Sequence, residues 1–184
     1  YNILHKASDL DLANSIYNWE RDNLYAPGTG AVYDSMNGQN GNNVTTWVFT
    51  YNQGTFVGMC YELFKITGET LYLRDAVRAS SYTLSSLSDL TESVLKDEGT
   101  GDGGLFKGIF VRYFTLLIQE PQVDASDKTR FVAYLKHNAE VLKEKGLQAQ
   151  YLIGSNWARN TSAIDLGTHV SGCVLLEAVA LDTL

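Results

Sequence analysis

Helical segments of two kinds alternate along this chain, and this alternation restricts the fold more than any other feature. One kind has a charged face opposite an apolar one; these segments are 10–24, 69–87 and 127–145. The other kind is nearly free of charge and follows a glycine-bearing polar cluster; these helices open after Asn52, Gly104 and Gly167. Inner helices of a barrel are buried on nearly all sides, whereas outer helices are wetted on one. The sequence therefore predicts an all-α barrel of helical hairpins.

The polar start of the first charge-free helix is the best candidate for a binding site. Tyr51 offers a phenol, and Asn52 and Gln53 offer amides, beside the free N–H groups of a helix's first turn. Such groups suit a ligand rich in hydroxyls. In an alternative interpretation Asn52 only caps the helix and Tyr51 packs against neighbours, and the residues alone leave both open. Since every charge-free helix begins with polar residues, we expect these ends to line one mouth of the barrel.

Two long polar loops, 28–43 and 89–104, bring acidic residues into consideration. Loops of this length in compact domains are often functional, and we expect Asp34 and Asp102 within them at the barrel mouth, with a short hairpin at 31–35. Neither aspartate has a neighbouring carboxylate at a useful spacing, and loop aspartates usually form turns. We therefore expect them to bind a ligand rather than to catalyse.

Two cations, Lys107 and Arg112, interrupt the apolar helix that follows the second loop. Long cationic side chains can reach solvent from such positions. Arg112 has apolar or aromatic residues on both sides, and a buried arginine needs an anionic or carbonyl partner. We expect either cation to bind a ligand or to brace the mouth, with the bracing role favoured for Arg112.

Length and charge narrow the class of protein. The 184 residues fit one domain, 1–184. A net charge of −7 without a clustered basic face argues against a nucleic-acid partner. No apolar run reaches the roughly 20 residues that a membrane-spanning helix requires.

Neither metal nor cofactor chemistry is indicated. The histidines, His5, His137 and His169, are far apart and have no cysteine or carboxylate at ligand spacing. Cys60 and Cys173 lie within apolar helical patterns, so free thiols are favoured over a disulfide between them. We expect no cofactor.

Three motifs together resemble glycoside hydrolase family 76. They are T-Y-N-Q-G-T at 50–55, F-K-G-I-F-V-R-Y at 106–113 and G-T-H at 167–169, in this order and with these loops between them. The resemblance covers essentially the whole chain and implies an (α/α)6 barrel, a toroid of helical hairpins. It also implies a retaining attack on alpha-1,6-linked mannose by an adjacent pair of aspartates, and an extracellular, periplasmic or cell-surface location.

The chain departs from the family in lacking two consecutive aspartates. In the family this pair precedes the Tyr-Asn-Gln-Gly segment, and the chain has about six helical segments, so it resembles the C-terminal half of the barrel. We expect the catalytic pair upstream and this chain alone to be inactive. The first residue is not methionine, in keeping with a piece of a longer chain.

The resemblance implies that this half binds mannan or another neutral glycan. The expected substrate-binding residues are Tyr51, Asn52, Gln53, Lys107, Arg112, Asp34 and Asp102. Half a barrel leaves apolar inner helices uncovered, so we expect the missing N-terminal half or a second copy as a partner. The alternatives are a non-catalytic carbohydrate-binding or scaffold protein, a cell-wall transglycosidase on the same fold, and, disfavoured by the motifs, another hydrolase such as an unsaturated glucuronyl hydrolase.

Overall fold

A computed structural model of the protein describes residues 1–40 and 43–180. Six α-helices make up most of this part of the chain, which confirms the predicted all-α class. They are α1 (Ala7–Asn23), α2 (Thr50–Thr67), α3 (Thr70–Ser86), α4 (Asp102–Gln119), α5 (Ala125–Val141) and α6 (Leu166–Ala180). A π-helical turn, Leu142–Gly146, extends α5.

The helices with few charges, α2, α4 and α6, lie side by side and run in the same direction. Paired positions advance together along them: Gly54 faces Phe110 and Gly58 faces Tyr113 between α2 and α4, and Gly104 faces Thr168 and Gly108 faces Ser171 between α4 and α6. Parallel helices have their N-termini at one end. The prediction that the three polar helix starts share one end is therefore confirmed, and we call this end the mouth.

Glycines bring these three helices into backbone contact. A Cβ on Gly54 would lie 2.6 Å from the Cα of Phe110, and one on Gly108 would lie 2.8 Å from Oγ of Ser171. The Ser171 hydroxyl donates to the carbonyl of Gly104 at 2.5 Å and accepts from the N–H of Gly108 at 3.1 Å. Larger side chains at these positions would push the helices apart, so the glycines set the spacing of the inner layer.

The outer layer consists of α1, α3 and α5. Helix α3 packs on α2, α5 contacts α4 and α6, and α1 contacts α2. Between α4 and α5 the core is aromatic: the ring of Phe114 lies 4.8 Å from that of Phe110 and 4.8 Å from that of Phe131. All three are fully buried, so the core joins the inner layer to the outer one.

A buried carboxylate connects two outer helices. Asp75 of α3 is fully buried and accepts hydrogen bonds from the hydroxyl of Tyr17 at 2.9 Å and Nε of Arg21 at 3.1 Å, both on α1. Nε of Arg74 lies 3.3 Å from its other oxygen. This charge is thus removed from water but fully provided with partners.

In the described part of the connection between α1 and α2, two short antiparallel strand pairs form rather than the single hairpin predicted at 31–35. Ala31–Val32 (β2) pairs antiparallel with Tyr25–Ala26 (β1), and Ser35–Asn37 (β3) pairs with Asn43–Thr45 (β4). The predicted position was wrong because the first turn forms at residues 27–30, which include Gly30 at φ +91°. The two hairpins meet at residues 33–34.

The start of α4 and the state of the two cysteines can be compared with the predictions. Asp102 was placed in a loop, but it is the first residue of α4, which begins three residues before the predicted start at Leu105. Cys60 is buried, Cys173 is exposed, and both are free thiols, as favoured.

No helix in the described ranges is long and apolar enough to cross a membrane. Within those ranges no three His, Cys, Asp or Glu side chains form a metal-binding group.

Candidate functional site

A tyrosine and an aspartate lie together at the mouth. The hydroxyl of Tyr51, in the first turn of α2, donates to Oδ1 of Asp34 at 2.5 Å. Asp34 is held in turn by its own N–H, which donates to the carbonyl of Trp47 at 2.9 Å. Burial, and then the hydrogen bond to Asp34, raise the pKa of Tyr51. The phenol therefore stays protonated at neutral pH, while the half-buried carboxylate can accept further hydrogen bonds.

An aromatic cluster surrounds this pair. The Tyr51 ring lies 4.4 Å from that of Phe106, on α4, and is nearly parallel to that of Phe49 at 6.2 Å. Trp47 contacts Phe49 edge-on at 6.5 Å and is 67% exposed. We call these four residues, Trp47, Phe49, Tyr51 and Phe106, the aromatic cluster. Such flat apolar faces with polar edges suit stacking on sugar rings.

The side-chain amides of Asn52 and Gln53, in the T-Y-N-Q-G-T motif, point into the protein. Oδ1 of Asn52 accepts from the N–H of Phe49 at 3.0 Å, which satisfies a group at the start of α2. Gln53 is fully buried and its Nε2 donates to the carbonyl of Val32 at 2.9 Å, which ties α2 to β2. The bond between Asn52 and Phe49 agrees with the alternative interpretation, in which Asn52 only caps the helix. Ligand binding by either amide stays a prediction.

Lys107 is the most deeply buried cation of the candidate set. It is 2% exposed, its Nζ donates to the carbonyl of Ser155, and it lies 4.3 Å from the centre of the Trp157 ring. Burial lowers its pKa to about 8, and the carboxylates of Asp97 and Glu98 partly oppose that change. This geometry joins α4 to the segment that precedes α6.

Asp102 and Arg112 are both exposed and lie at different levels of α4. At 1.5 Å per residue, ten residues separate them by about 15 Å along the helix. Asp102 lies at the mouth, whereas Arg112 lies well below it, with its guanidinium 5.7 Å from the ring of Tyr113. Arg112 therefore has the solvated end that long cationic side chains commonly adopt and needs no buried anionic or carbonyl partner. Its bracing role stays a prediction.

Two carboxylates at the mouth were missed as structural elements of the site. Oε1 of Glu98 accepts from the N–H of Thr50 at 2.9 Å, and Oε2 accepts from the Thr50 hydroxyl. Burial raises the pKa of Glu98, and the bonds from Thr50 oppose that. No sequence signal links Glu98 to a residue 48 positions away.

The second of these carboxylates is Asp165, which precedes α6. Its Oδ1 accepts from the N–H of Thr168 at 2.8 Å and its Oδ2 from the N–H of Gly101 at 2.6 Å. These two bonds, that from Thr168 first, lower the pKa of Asp165. An aspartate three residues before a threonine at a helix start is a recognisable capping signal. That signal does not predict the bond to Gly101, which lies 64 residues earlier in the chain.

Comparison with known proteins gives a family. The model of glycosyl hydrolase family 76 matches residues 1–182. Among solved structures, the GH76A alpha-1,6-mannanase of Salegentibacter sp. HEL1_6 is 41% identical over 98% of this chain, with a TM-score of 0.93. An inactive variant of that enzyme, with two consecutive aspartates replaced, has been solved with alpha-1,6-mannotetraose. A search of curated protein sequences gave no match.

Two further solved structures are similar to this chain. A Listeria innocua protein is 35% identical over 98% of the chain, with a TM-score of 0.87. A family 76 alpha-mannanase of Bacteroides thetaiotaomicron is 17% identical, with a TM-score of 0.76, and shows the fold alone. This chain covers 54% of the Salegentibacter chain and 51% of the Listeria chain, about half the length of each. The fold is thus about half of a family 76 helical toroid. By family model and identity, the chain belongs to glycosyl hydrolase family 76.

Proposed function

We propose that the protein to which this chain belongs hydrolyses alpha-1,6-linked mannan. The observation that carries this proposal is the 41% identity, over 98% of the chain, to an alpha-1,6-mannanase whose inactive variant holds alpha-1,6-mannotetraose. The mouth geometry supports it. Tyr51 and Asp34 form a polar pair beside the aromatic cluster, which is the combination that hydroxylated, flat-faced sugar rings require.

Within this proposal the chain supplies substrate-binding residues. Asp34, Tyr51 and Asp102 face the mouth and hydrogen-bond sugar hydroxyls. Asn52, Gln53 and Lys107 support them from below, through the bonds to Phe49, Val32 and Ser155. Arg112 lies too far down α4 to reach the same sugar, and we assign it to the surface that the rest of the barrel covers.

The chemistry comes from a pair of aspartates outside this chain. Retaining hydrolysis uses one carboxyl as nucleophile and a second as acid and base, about 5–5.5 Å apart or in a comparable arrangement. No two aspartates are consecutive in the sequence, and the solved relatives have about as much chain again. We place the pair in that remaining half, so that residues 1–184 alone form part of the domain and do not catalyse.

The uncovered side of the inner helices has a complementary role. Leu105, Leu166 and Val170 are 43%, 79% and 40% exposed on α4 and α6, an apolar surface that an isolated domain rarely leaves open. We propose that the other half of the barrel covers it. A second copy of the chain is the competing occupant, and a well-folded monomer of residues 1–184 in analytical ultracentrifugation would count against both.

The deciding experiment is an assay of the full-length protein on alpha-1,6-mannan, with alpha-1,2- and alpha-1,3-linked mannans as controls. Release of short alpha-1,6-mannooligosaccharides whose first-formed anomer is alpha supports retaining hydrolysis, and a beta product rejects retention. Binding without cleavage would favour a carbohydrate-binding or scaffold protein, and transfer to a sugar acceptor would favour a transglycosidase. A polysaccharide substrate of this size also implies an extracellular, periplasmic or cell-surface location, which fractionation of the source cells tests.

A further inference from the structure

The loop at residues 97–101, which we call the bridging loop, spans the mouth from α2 to α6. At its α2 side, both carboxylate oxygens of Glu98 bond Thr50, one to the N–H and one to the hydroxyl. At its α6 side, the N–H of Gly101 donates to Asp165. Within the loop, Oδ1 of Asp97 accepts a hydrogen bond from the N–H of Gly99 at 2.9 Å. Five residues thus connect two helix starts that are not adjacent.

The helix between them, α4, is packed against this loop without spare room. A Cβ on Gly103 would overlap the carbonyl oxygen of Glu98, and one on Gly104 would lie 2.9 Å from the backbone nitrogen of Thr168. Gly101 itself has φ +65°, a conformation that glycine adopts most readily. The first turn of α4 therefore has one position relative to α2 and α6.

Each bond of the bridging loop lies one residue from a proposed sugar contact. Thr50, the partner of Glu98, precedes Tyr51, whose hydroxyl bonds Asp34. Gly101, the partner of Asp165, precedes Asp102. A displacement of the loop would separate Tyr51 and Asp34 from Asp102, although in the described part of the chain none of these three side chains is hydrogen-bonded to Glu98.

We propose that Glu98, assisted by Asp165, is a positioning residue that holds Tyr51, Asp34 and Asp102 in register for one glycan chain. This rests on the proposed function and adds residues to it. Glu98 is not itself a sugar ligand, because both of its oxygens are bonded to Thr50. Its effect on the substrate passes through α2.

The test is a set of four variants in the full-length protein. Glu98→Ala removes both bonds, whereas Glu98→Gln keeps both, because its amide oxygen accepts from the N–H and its amide nitrogen donates to the Thr50 hydroxyl. Thr50→Val removes the hydroxyl and Thr50→Ser keeps it. Since a displacement of about 1 Å at such a site costs up to about 100-fold, we expect Glu98→Ala to lower kcat/KM on mannotetraose by about 10- to 100-fold, mainly through KM.

The conservative variants separate position from charge. Glu98→Gln and Thr50→Ser are expected to stay near wild type, Thr50→Val to move KM in the direction of Glu98→Ala, and the double variant Glu98→Ala, Thr50→Val to be little worse than Glu98→Ala alone. Glu92→Ala is the matched control, because Glu92 lies in the same connection but pairs with Lys145 at 2.6 Å on the outer rim. It should leave KM unchanged.

Hydrogen exchange at the amides of Thr50 and Gly101 provides a readout that does not depend on activity. Faster exchange in Glu98→Ala together with a raised KM supports the proposal. Unchanged KM, a fall in kcat alone, or Glu98→Gln as impaired as Glu98→Ala overturns it. If the wild-type protein neither binds nor cleaves alpha-1,6-mannan, the proposed function fails and the positioning role for that glycan fails with it, whereas wild-type activity with an unaffected Glu98→Ala rejects the positioning role alone.

Discussion

Two tyrosine–aspartate pairs lie in the described part of the chain, and their surroundings give them opposite roles. Tyr17 donates to Asp75 between α1 and α3, where the carboxylate is fully buried and two arginines contribute further partners. Tyr51 donates to Asp34 at the mouth, where the carboxylate is only half-buried.

Burial explains the difference between the pairs. A buried carboxylate needs every partner that the protein can supply, and once it is satisfied it has nothing left to offer a ligand. A carboxylate at a mouth can exchange water for sugar hydroxyls at little cost. The same bond therefore stabilises the fold in one place and prepares a binding site in the other.

The largest expected effect is on stability, at the buried pair. Asp75→Ala leaves the Tyr17 hydroxyl without its acceptor and two arginines without their charge partner, so we expect the free energy of unfolding to fall by about 3 kcal/mol. Asp34→Ala should cost about 1 kcal/mol or less, because water reaches that site. Urea denaturation of the full-length variants measures both, and equal losses would remove the distinction.

Lys107 extends the comparison to a buried cation. Its amino group donates to the carbonyl of Ser155, and among the described residues no carboxylate forms an ion pair with it. Its folded pKa of about 8 lies below the usual lysine value, so between these two pH values the unfolded state binds more protons than the folded state. As pH rises through that window, the contribution of Lys107 should therefore increase the free energy of unfolding, by at most about 1.4 kcal/mol per pH unit.

Lys107→Met removes that contribution while keeping the length of the side chain. We expect wild type minus variant stability to increase between pH 8 and pH 10 and to be flat below pH 7. Urea denaturation at four pH values checks this. A difference that falls with rising pH would mean that the Lys107 pKa is raised, not lowered.

Binding is the third effect in size. Asp34→Asn should weaken binding of mannotetraose by about tenfold, about 1.4 kcal/mol, because the charged acceptor becomes neutral. Titration calorimetry with a catalytically inactive form of the full-length protein measures this. Asp75→Asn, folded at a permissive temperature, is the control and should bind as the parent does.

The smallest change in structure, the loss of a single hydroxyl, compares the two tyrosines directly. Tyr17→Phe and Tyr51→Phe each delete one hydroxyl, and we expect about 1–2 kcal/mol of lost stability at the first and about 0.5–1 kcal/mol at the second. Only Tyr51→Phe should change the affinity for mannotetraose. If Tyr17→Phe weakens binding as much, the core pair also acts on the site.

The helices were predictable from the sequence because their signals are local. Apolar periodicity and Gly68, which ends α2 at φ 73°, define elements through neighbours three or four residues apart. The start of α4 was placed too late because Gly103 and Gly104 are typical of loops. Packing against Glu98 and Thr168 overrides that propensity, since only glycine fits there.

The sequence suggested candidate site residues but not their geometry. Tyr51 and Asp34 were chosen separately, and their bond depends on how two small hairpins place a loop 17 residues earlier. The inward direction of Gln53 depends on a carbonyl 21 residues away, and that of Glu98 on a helix start 48 residues away. Such contacts are decided by tertiary packing, which one sequence does not display.

The parallel direction of α2, α4 and α6 also has an electrostatic consequence. The peptide dipoles of each helix add up to about half a positive elementary charge at its N-terminus, so three such termini converge at the mouth of a chain whose net charge is −7. Glu98 and Asp165 neutralise part of this positive potential where they bond the backbone. The remainder favours the ionised form of a carboxyl group held above this end, which is the form that the proposed retaining attack requires.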